Sequence, residues 1–192
     1  MVGTIANMAK IIAEFCQNHK GDRSILREMI QAAAESGATY AKIQSMWVKD
    51  LTKRDRFEEG ETIPDGTIKI FKRPYAPEYE RLRKLELSLA DHLFFIEECT
   101  RAGLIPLTTV FTRGDVSHIS RLPWPTRIVK VPSFDCASFP HLEKLRDQFD
   151  TFFISTGATY DHEIEKAAQI LSGKKFVYFH CVLSYPNTLD NC

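Results

Sequence analysis

Short apolar runs alternate with amphipathic segments along most of the chain. Runs beginning at Ile11, Tyr40 and Leu104 predict three buried β-strands, and the later runs RIVKVPS, TFFISTG and KFVYFHC predict three more. Several segments between them, such as ILREMIQAAAE, place apolar residues at helical spacing and predict helices. This alternation indicates an α/β fold with a parallel sheet and right-handed crossovers.

The predicted helices have definite ends and buried faces. Ser24 is suited to cap the first helix and Gly37 to close it. The apolar positions of that helix are Ile25, Met29, Ala32 and Ala33, and those of the helix that resumes near Glu86 are Leu89, Leu93, Ile96 and Cys99. Shorter helices are predicted at 115–122, after Pro140 and at 161–171. Residues 45–76 break this alternation of strands and helices, because they carry mixed charge and contain glycine and proline. We therefore predict a long loop here that covers the functional site.

Polar side chains mark the carboxyl ends of the six predicted strands. They are Glu14, Gln44, Thr109, Ser133, Ser155 and His180. A (β/α)8 barrel of the TIM type forms its site on that face, whereas a doubly wound sheet would more often gather its site at one switch point, and no GxGxxG follows the first strand. We therefore predict a barrel. Six strand–helix units are too few to close an eight-stranded barrel. We therefore expect residues 1–192 to be the N-terminal portion of a barrel domain or an open half-barrel.

The composition is typical of a soluble globular domain. Hydrophobic residues make up 44% of the chain and charged residues 26%, and 25 basic residues balance 25 acidic ones. A formal net charge of zero excludes a nucleic-acid or membrane surface built on bulk charge, so an anion site must be local. No stretch approaches the roughly 20 apolar residues of a membrane span. The cysteines include no CxxC pair, which indicates reduced thiols, and we expect a cytoplasmic protein without a signal peptide.

Two lysines lie inside predicted strands, where an ammonium group is unfavourable to bury. Lys42 and Lys130 therefore require a counter-charge, either a bound anion or the carboxylates of Glu14 and Asp135. A bound anion accounts for more of the pattern, because nearby hydroxyl groups would donate hydrogen bonds to it. These hydroxyl groups belong to Ser133, Ser155 and Thr156. A small ligand with a phosphate and a carboxylate would suit the site. A Schiff-base lysine is the other use of such a residue in a barrel, and it requires a lowered pKa.

Other polar residues have two possible interpretations. The turn of Asn18, His19 and Asp22 after the first strand suits either a site loop or a helix-capping turn. His180 suits either a substrate contact or a hydrogen-bonded core position. Three further histidines fall on predicted helices and are expected to be solvated, namely His118, His141 and His162.

Five motifs in order and spacing give the chain a resemblance to a known family. They are IIAEFCQNHKGD, AKIQ, VKVPSFD, ISTGATYDHEIEKA and FHCVLSYP, and together they resemble the sialic acid synthase family over essentially the whole chain. The resemblance implies a barrel whose C-terminal face holds phosphoenolpyruvate, an open-chain N-acetylated amino sugar such as N-acetylmannosamine, and manganese or magnesium. In that chemistry the double-bonded carbon of phosphoenolpyruvate attacks the sugar aldehyde, water adds to the resulting oxocarbenium ion, and phosphate leaves.

The resemblance also implies roles for individual residues. Glu14 matches the glutamate that faces the reacting centre and handles the attacking water. Asp135 matches a second catalytic-site carboxylate, which in the family is usually the longer glutamate. The residues that match the phosphoenolpyruvate cradle are Lys42, Gln44, Thr109, Lys130, Ser133 and Ser155. His180 and Tyr185 match positions beside the substrate, and Cys16 replaces a common glycine.

Two features of the resembled family are missing from this sequence. The SDH and ERHF-like motifs, which supply metal-binding histidines, are absent, so no metal ligand is assigned in this chain. The antifreeze-like C-terminal domain, which reaches into the partner's site in a homodimer, is absent as well. We therefore expect the N-terminal part of a homodimeric synthase, inactive by itself.

Two alternatives remain open from the sequence. One is a noncatalytic anion-binding or interaction module built on a partial barrel, whose open sheet edge another chain would cover. The other is a related synthase that uses a sugar phosphate as acceptor. The amino sugar itself is not determined, and we expect residues 45–76, with Arg73 and Tyr75, to select it.

Overall fold

A computed structural model describes residues 9–183 and 188–189. Within these residues the strands are β1 (Ile12–Cys16), β2 (Tyr40–Ser45), β3 (Glu61–Thr62), β4 (Ile68–Ile70), β5 (Ile105–Val110), β6 (Ile128–Val131), β7 (Thr151–Ser155) and β8 (Lys175–Phe179). The helices are α1 (Arg23–Glu35), α2 (Asp55–Glu59), α3 (Tyr75–Arg83), α4 (Leu89–Arg101), α5 (Val116–Ser120), α6 (Ser133–Cys136), α7 (Phe139–Arg146) and α8 (Asp161–Ile170). A short 3-10 helix covers Val48–Asp50.

The strands predicted from the apolar runs form two parallel sheets, ordered β1-β2-β5 and β6-β7-β8. β5 lies against β6, so the six strands follow one another in chain order. This confirms the predicted α/β class with parallel strands. Within the described part of the chain β1 and β8 form no ladder with each other, so the arc of strands is open there. β3 and β4 form a separate antiparallel pair.

Each strand of the arc turns one face toward the helices and the other toward the inside of the arc. The helix-facing residues form the core, and they include Ala41, Ile43, Val129, Val131, Phe152 and Ile154. Fully burying an Ile, Val or Phe side chain contributes roughly 1.5–3 kcal/mol, so this layer holds the helices to the strands. Because side chains alternate along a strand, the same arrangement sends Lys42 and Lys130 to the inner face.

The first helix begins and packs differently from the prediction. Asp22, rather than Ser24, caps α1, because its Oδ1 accepts hydrogen bonds from the backbone N–H groups of Ser24 and Ile25 at 2.6 and 3.4 Å. The fully buried residues of α1 are Leu26, Ile30 and Ala33, whereas the predicted face was Ile25, Met29, Ala32 and Ala33. Apolar residues of this helix cover two overlapping faces, and packing against α4 selects one of them.

The buried face of α4 also differs from the prediction. Ser88 caps the helix, and its buried residues are His92, Phe95, Ile96 and Cys99. The predicted core residues Leu89 and Leu93 are 40% and 37% exposed. The ring of His92 is held by polar groups: Nδ1 donates to the carbonyl oxygen of Ser88 at 2.8 Å, which leaves Nε2 to accept from Oγ of Ser45 at 2.8 Å. Burial lowers the pKa of His92.

Residues 45–76 contain more structure than the predicted loop. The 3-10 helix, α2 and the β3–β4 hairpin lie in this segment, and the backbone N–H of Arg73 donates to the carbonyl oxygen of Phe57 at 2.7 Å. The hairpin turns at Asp65, whose Oδ1 accepts from the N–H of Thr67 at 2.8 Å. α3 and α6 were not predicted either. These elements are short or mostly exposed, and a largely polar segment carries little periodic signal.

In the ranges that the structure describes, no helix is both long and apolar enough to cross a lipid bilayer. Free thiols are present at Cys16, Cys99, Cys136 and Cys181. Cys192 lies outside the described residues.

Candidate functional site

Lys42 lies on the inner face of β2 and is only 5% exposed. Its Nζ is 2.5 Å from Oε2 of Glu14 on β1 and donates a hydrogen bond to Oγ1 of Thr109 on β5 at 3.0 Å. Three adjacent strands therefore contribute to one cluster. Of the two counter-charges considered for Lys42, the structure shows the carboxylate of Glu14, which offsets part of the unfavourable burial of the ammonium group.

A bulge at the end of β1 orients Glu14. The register of β1 against β2 shifts between Glu14 and Cys16, and the N–H of Cys16 donates to Oε1 of Glu14 at 2.9 Å. Cys16 has a φ of 52°, in the left-handed region that favours glycine, which agrees with the glycine common at this position in the resembled family. Burial and the negative charge of Glu14 raise the pKa of the Cys16 thiol, so the thiol stays protonated at neutral pH.

Gln44 contacts the loop after β1. Its Nε2 donates to Sγ of Cys16 at 3.2 Å, and its Oε1 accepts from Nε2 of Gln17 at 3.4 Å. Gln44 therefore supports the bulge that positions Glu14. Its predicted contact with phosphoenolpyruvate stays a prediction.

Lys130 occupies the equivalent place on β6. Its Nζ donates to Oγ of Ser155 at 2.5 Å and to the carbonyl oxygen of Val131 at 2.8 Å, and it lies 5.3 Å from the centre of the Phe179 ring. Among residues 9–183 Lys130 forms no ion pair. Burial, together with the positive charge of Lys42, lowers the pKa of Lys130 to about 8. The charge of Glu14 acts on Lys130 in the opposite direction, but no carboxylate among the described residues contacts its ammonium group directly.

Ser133 follows β6 and fixes the turn after β7. Its Oγ accepts a hydrogen bond from the N–H of Gly157 at 3.0 Å. A methyl group on Gly157 would stand 3.0 Å from that Oγ and 2.8 Å from Cγ of the exposed Leu183 side chain, so a larger residue here would displace these two side chains. The Thr156 hydroxyl, expected to donate to an anion, instead donates to the carbonyl oxygen of Phe179 at 3.1 Å.

Asp135 does not pair with Lys130, so the carboxylate alternative to a bound anion is not realised at this lysine. It lies on α6, is 1% exposed, and forms an ion pair with Arg113 in the loop after β5. Oδ2 of Asp135 and Nη1 of Arg113 are buried and have no hydrogen-bond partner among the described residues. Arg113 is not recognisable as a site residue from the sequence, because nothing in its polar loop TRGD signals a buried partner 22 residues away.

Besides His92, the histidines His19 and His141 are buried. Nδ1 of His19 accepts from the N–H of Gly21 at 3.0 Å, so this turn is organised by its own contacts and by the Asp22 cap, which favours the helix-capping interpretation. His141 was expected to be solvated, yet it is 3% exposed and its Nε2 donates to the carbonyl oxygen of Val110 at 2.8 Å. Burial lowers the pKa of both rings. His118 and His162 are exposed, as predicted.

The last two predicted substrate contacts lie near the end of the described chain. His180 directly follows β8, is exposed, and forms no hydrogen bond or ion pair with another described residue. It is therefore not the core histidine of the alternative interpretation. Tyr185 lies outside the described residues.

A metal site is not built by the residues that the structure describes. No group of three or more His, Cys, Asp or Glu side chains among them could hold an ion. The two carboxylates of the predicted site, Glu14 and Asp135, are engaged by Lys42 and Arg113. These residues do not fit the manganese or magnesium site that the resemblance implies.

Together, these groups suit an anion at the carboxyl ends of the strands. Lys42 and Lys130 both lie on the inner face of the arc, and the charges of Lys42 and Glu14 both act on Lys130. Hydroxyl groups of Thr109 and Ser155 contact their Nζ atoms and can turn to a ligand. A ligand with two negatively charged ends would meet a separate lysine at each end.

Comparisons with known proteins find relatives over most of the chain. The chain is 29% identical over 185 residues to the N,N'-diacetyllegionaminic acid synthase of Campylobacter jejuni, covering 92% of this chain and 52% of that protein. It is 28% identical over 178 residues to the N-acetylneuraminate-9-phosphate synthase of Homo sapiens, covering 92% of this chain and 47% of that protein. A crystal structure of the N-acetylneuraminic acid synthetase from Leptospira borgpetersenii has the same fold, with a TM-score of 0.77, 23% identity, and coverage of 98% of this chain and 62% of that one.

The chain spans about half the length of the curated relatives it matches. The NeuB family model matches residues 29–192, a range that includes both site lysines and all the strands from β2 onward. Because this match covers most of the sequence, the chain belongs to the NeuB family.

Proposed function

We propose that this chain forms the phosphoenolpyruvate-binding part of a synthase. The reaction condenses phosphoenolpyruvate with an N-acetylated amino sugar and water, and yields a sialic-acid-type nonulosonic acid and phosphate. Its relatives include synthases of legionaminic, sialic and pseudaminic acids. The observation that carries the proposal is the pair of lysines on the inner face of the strands, of which Lys130 has no carboxylate partner among the described residues.

The residues of this chain would divide the work as follows. Lys42 and Lys130, with the hydroxyl groups of Thr109 and Ser155, hold the carboxylate and phosphate of phosphoenolpyruvate. The double-bonded carbon then attacks the sugar aldehyde, water adds to the resulting oxocarbenium ion, and phosphate leaves. Glu14 is the carboxylate beside this space and accepts the proton of the attacking water.

Several properties of the complete enzyme belong to the same proposal. The six strands would be part of a (β/α)8 barrel, which the open arc and the likeness to the Leptospira synthetase support. We propose a cytoplasmic homodimer that uses manganese or magnesium through ligands outside this chain. By itself the 192-residue chain would bind phosphoenolpyruvate without releasing phosphate, because its sequence lacks the family's SDH and ERHF-like motifs.

The acceptor could be a free amino sugar, as for N-acetylmannosamine, or a phosphorylated one. Relatives of similar identity carry the names of both kinds of product, at 29% for the legionaminic acid synthase and 28% for the 9-phosphate synthase. Sequence identity therefore does not distinguish the two acceptors.

Titration calorimetry with phosphoenolpyruvate tests the anion site. We expect Lys42→Ala and Lys130→Ala each to weaken binding about tenfold or more, because each removes a charge-assisted contact. Lys166→Ala removes an exposed lysine of α8 and is the matched control, expected to bind normally. Unchanged affinity in both site variants would show that the ligand does not sit between these lysines.

A noncatalytic binding module is the second candidate, and one observation favours it. β8 presents exposed apolar side chains at Val177 and Tyr178, which are 53% and 36% exposed, as expected for an edge that a partner covers. The candidates differ in turnover. Phosphate release that requires phosphoenolpyruvate, amino sugar and manganese, measured on the full-length protein from its native source, would exclude the noncatalytic module.

A further inference from the structure

The C-terminal end of α3 lies against the loop that follows β1. Lys84 caps this end of the helix, and its carbonyl oxygen would stand 2.7 Å from a Cβ added at Gly21. Gly21 also has a φ of 75°, so both the close approach and the backbone favour glycine. α3, which continues directly from residues 45–76, is therefore in contact with the loop that leaves the candidate site.

Arg81 makes a second contact between α3 and this loop. Its Nη1 donates a hydrogen bond to Oε1 of Gln17 at 3.2 Å. The guanidinium group is oriented by Glu78, one turn earlier in α3, because the two carboxylate oxygens of Glu78 accept from Nε and Nη2 of Arg81 at 2.9 Å each. The Arg81 side chain is 53% exposed, so these contacts contribute little to stability. Their effect is on the orientation of Gln17.

Hydrogen bonds continue from Gln17 to the bulge of β1. Nε2 of Gln17 donates to Oε1 of Gln44 at 3.4 Å and lies 3.8 Å from Sδ of Met46, and Nε2 of Gln44 donates to Sγ of Cys16 at 3.2 Å. With Arg81, these residues form a hydrogen-bonded row. Because a guanidinium group can only donate, the oxygen of Gln17 must face Arg81, and both amides then direct their nitrogen toward the bulge.

The row ends at the carboxylate of the candidate site. The N–H of Cys16 donates to Oε1 of Glu14 at 2.9 Å, and Oε2 of Glu14 is 2.5 Å from Nζ of Lys42. Cys16 has a φ of 52°, and a non-glycine residue keeps such a strained conformation when surrounding contacts hold it. Gln44 makes such a contact with the sulfur atom, and Gln17 in turn contacts Gln44.

We infer that Gln17 is a positioning residue, which together with Arg81 couples α3 to the bulge that orients Glu14. The inference rests on the proposed function, in which Glu14 accepts the proton of the attacking water. Gln17 follows the bulge of β1 and contacts Arg81 of α3 at one end of its amide and Gln44 of β2 at the other. Loss of this side chain would release Glu14 from its orientation and leave both site lysines in place.

Steady-state kinetics of the full-length protein test the positioning role. Phosphate release is measured with phosphoenolpyruvate, manganese, and either N-acetylmannosamine or its 6-phosphate. Gln17→Met keeps the length of the side chain and removes its hydrogen bonds. We expect it to lower kcat about tenfold and to change KM for phosphoenolpyruvate by less than about twofold, because both lysines remain. Gln31→Met is the matched control and should keep the parent kcat, since Gln31 donates to Glu35 within α1 at 2.8 Å.

Variants of Arg81 test whether its donor group orients the row. Arg81→Met should lower kcat about threefold, and Arg81→Lys should restore most of this loss, because an ammonium group also can only donate. Adding Arg81→Met to Gln17→Met should lower kcat no further, because both substitutions interrupt the same row. Additive losses would show that the two residues act separately and would overturn the coupling.

Alkylation of Cys16 by iodoacetamide provides a measurement on the same protein that needs no turnover. Burial and the negative charge of Glu14 raise the pKa of this thiol, which slows its reaction. We expect Gln17→Met to speed the labelling of Cys16 about fivefold or more, as followed by mass spectrometry of its peptide. Labelling of the half-buried Cys181 is the internal control and should not change.

Unchanged kcat in Gln17→Met, or labelling of Cys16 at the parent rate, would overturn the inference. Equal acceleration at Cys16 and Cys181 would also overturn it, because the substitution would then loosen the protein as a whole. A parent protein that releases no phosphate would overturn the proposed function alone. The labelling of Cys16 would then decide whether Gln17 holds the bulge.

Discussion

Asp135 and Arg113 form a buried ion pair between α6 and the loop after β5. Asp135 is 1% exposed, whereas the Arg113 side chain is 37% exposed and also lines a cavity of about 370 Å³ together with Arg54 and Arg73. The carboxylate thus supports a cation at the rim of the site instead of neutralising Lys130. The resembled family usually has a longer glutamate at this position. The shorter aspartate of this chain forms its ion pair with Arg113.

Removing Asp135 alone should destabilise the protein strongly. Asp135→Ala leaves the partly buried guanidinium of Arg113 without its partner, and we expect a loss of about 2–4 kcal/mol in the free energy of unfolding. The double variant Asp135→Ala/Arg113→Met should recover part of this loss. Urea denaturation of the four proteins of this cycle measures the coupling. Strictly additive losses would show that the pair contributes no coupling.

The affinity for phosphoenolpyruvate should depend on pH through Lys130. The folded protein has a pKa of about 8 at this residue, below the ordinary value of a lysine, so the amine loses its charge as the pH rises through 8. We expect affinity to fall by up to about tenfold per pH unit above 8, because the anion loses a cation partner. Calorimetry between pH 7 and 9.5 measures this.

Lys130→Arg provides the control for that titration. An arginine keeps its charge throughout this range, so the variant should show a much flatter profile. The same fall in affinity in Lys130→Arg would assign the pH dependence to another group.

The left-handed conformation of Cys16 predicts an unusual ranking of substitutions. A non-glycine residue at φ 52° is strained by roughly 1–2 kcal/mol, and a β-branched residue more. We expect Cys16→Gly to unfold at the same or a higher temperature than the parent protein, and Cys16→Val to unfold several degrees lower. Differential scanning calorimetry checks both. Cys181→Val, at a half-buried position without positive φ, should have little effect.

The close contact of Gly157 with Ser133 predicts a loss of binding from one methyl group. Gly157→Ala would place Cβ 2.8 Å from Cγ of Leu183 and 3.0 Å from Oγ of Ser133. We expect a loss of about 1 kcal/mol in stability, because the exposed Leu183 side chain can rotate away. We also expect weaker binding of phosphoenolpyruvate, because the hydrogen bond from the N–H of Gly157 to Oγ of Ser133 is displaced. Gly173→Ala is the comparison, since Gly173 has a φ of 82° and an added Cβ meets nothing within 4 Å. That variant should lose stability through backbone strain and bind normally; weak binding in both would indicate a general effect of unfolding.

The sequence by itself determined the strands and the residues that they carry inward. Alternation along a strand is local, so an apolar run with Lys42 or Lys130 inside it already specifies which side chains share a face. Parallel strands joined by helices bring their carboxyl ends to one edge, which is why Glu14, Thr109 and Ser155 were found among the site candidates from the chain alone.

Only the tertiary structure decided which of these groups are paired. Glu14 neutralises Lys42 and Asp135 turns to Arg113, and both choices depend on distances between elements that no local pattern encodes. The buried face of α1 was decided in the same way, because its apolar residues allow two faces and contact with α4 selects one. The short helices and the hairpin within residues 45–76 could not be predicted, because exposed elements carry little hydrophobic periodicity. The cavity lined by Arg54 and Arg73 forms only when these elements fold over the strand ends.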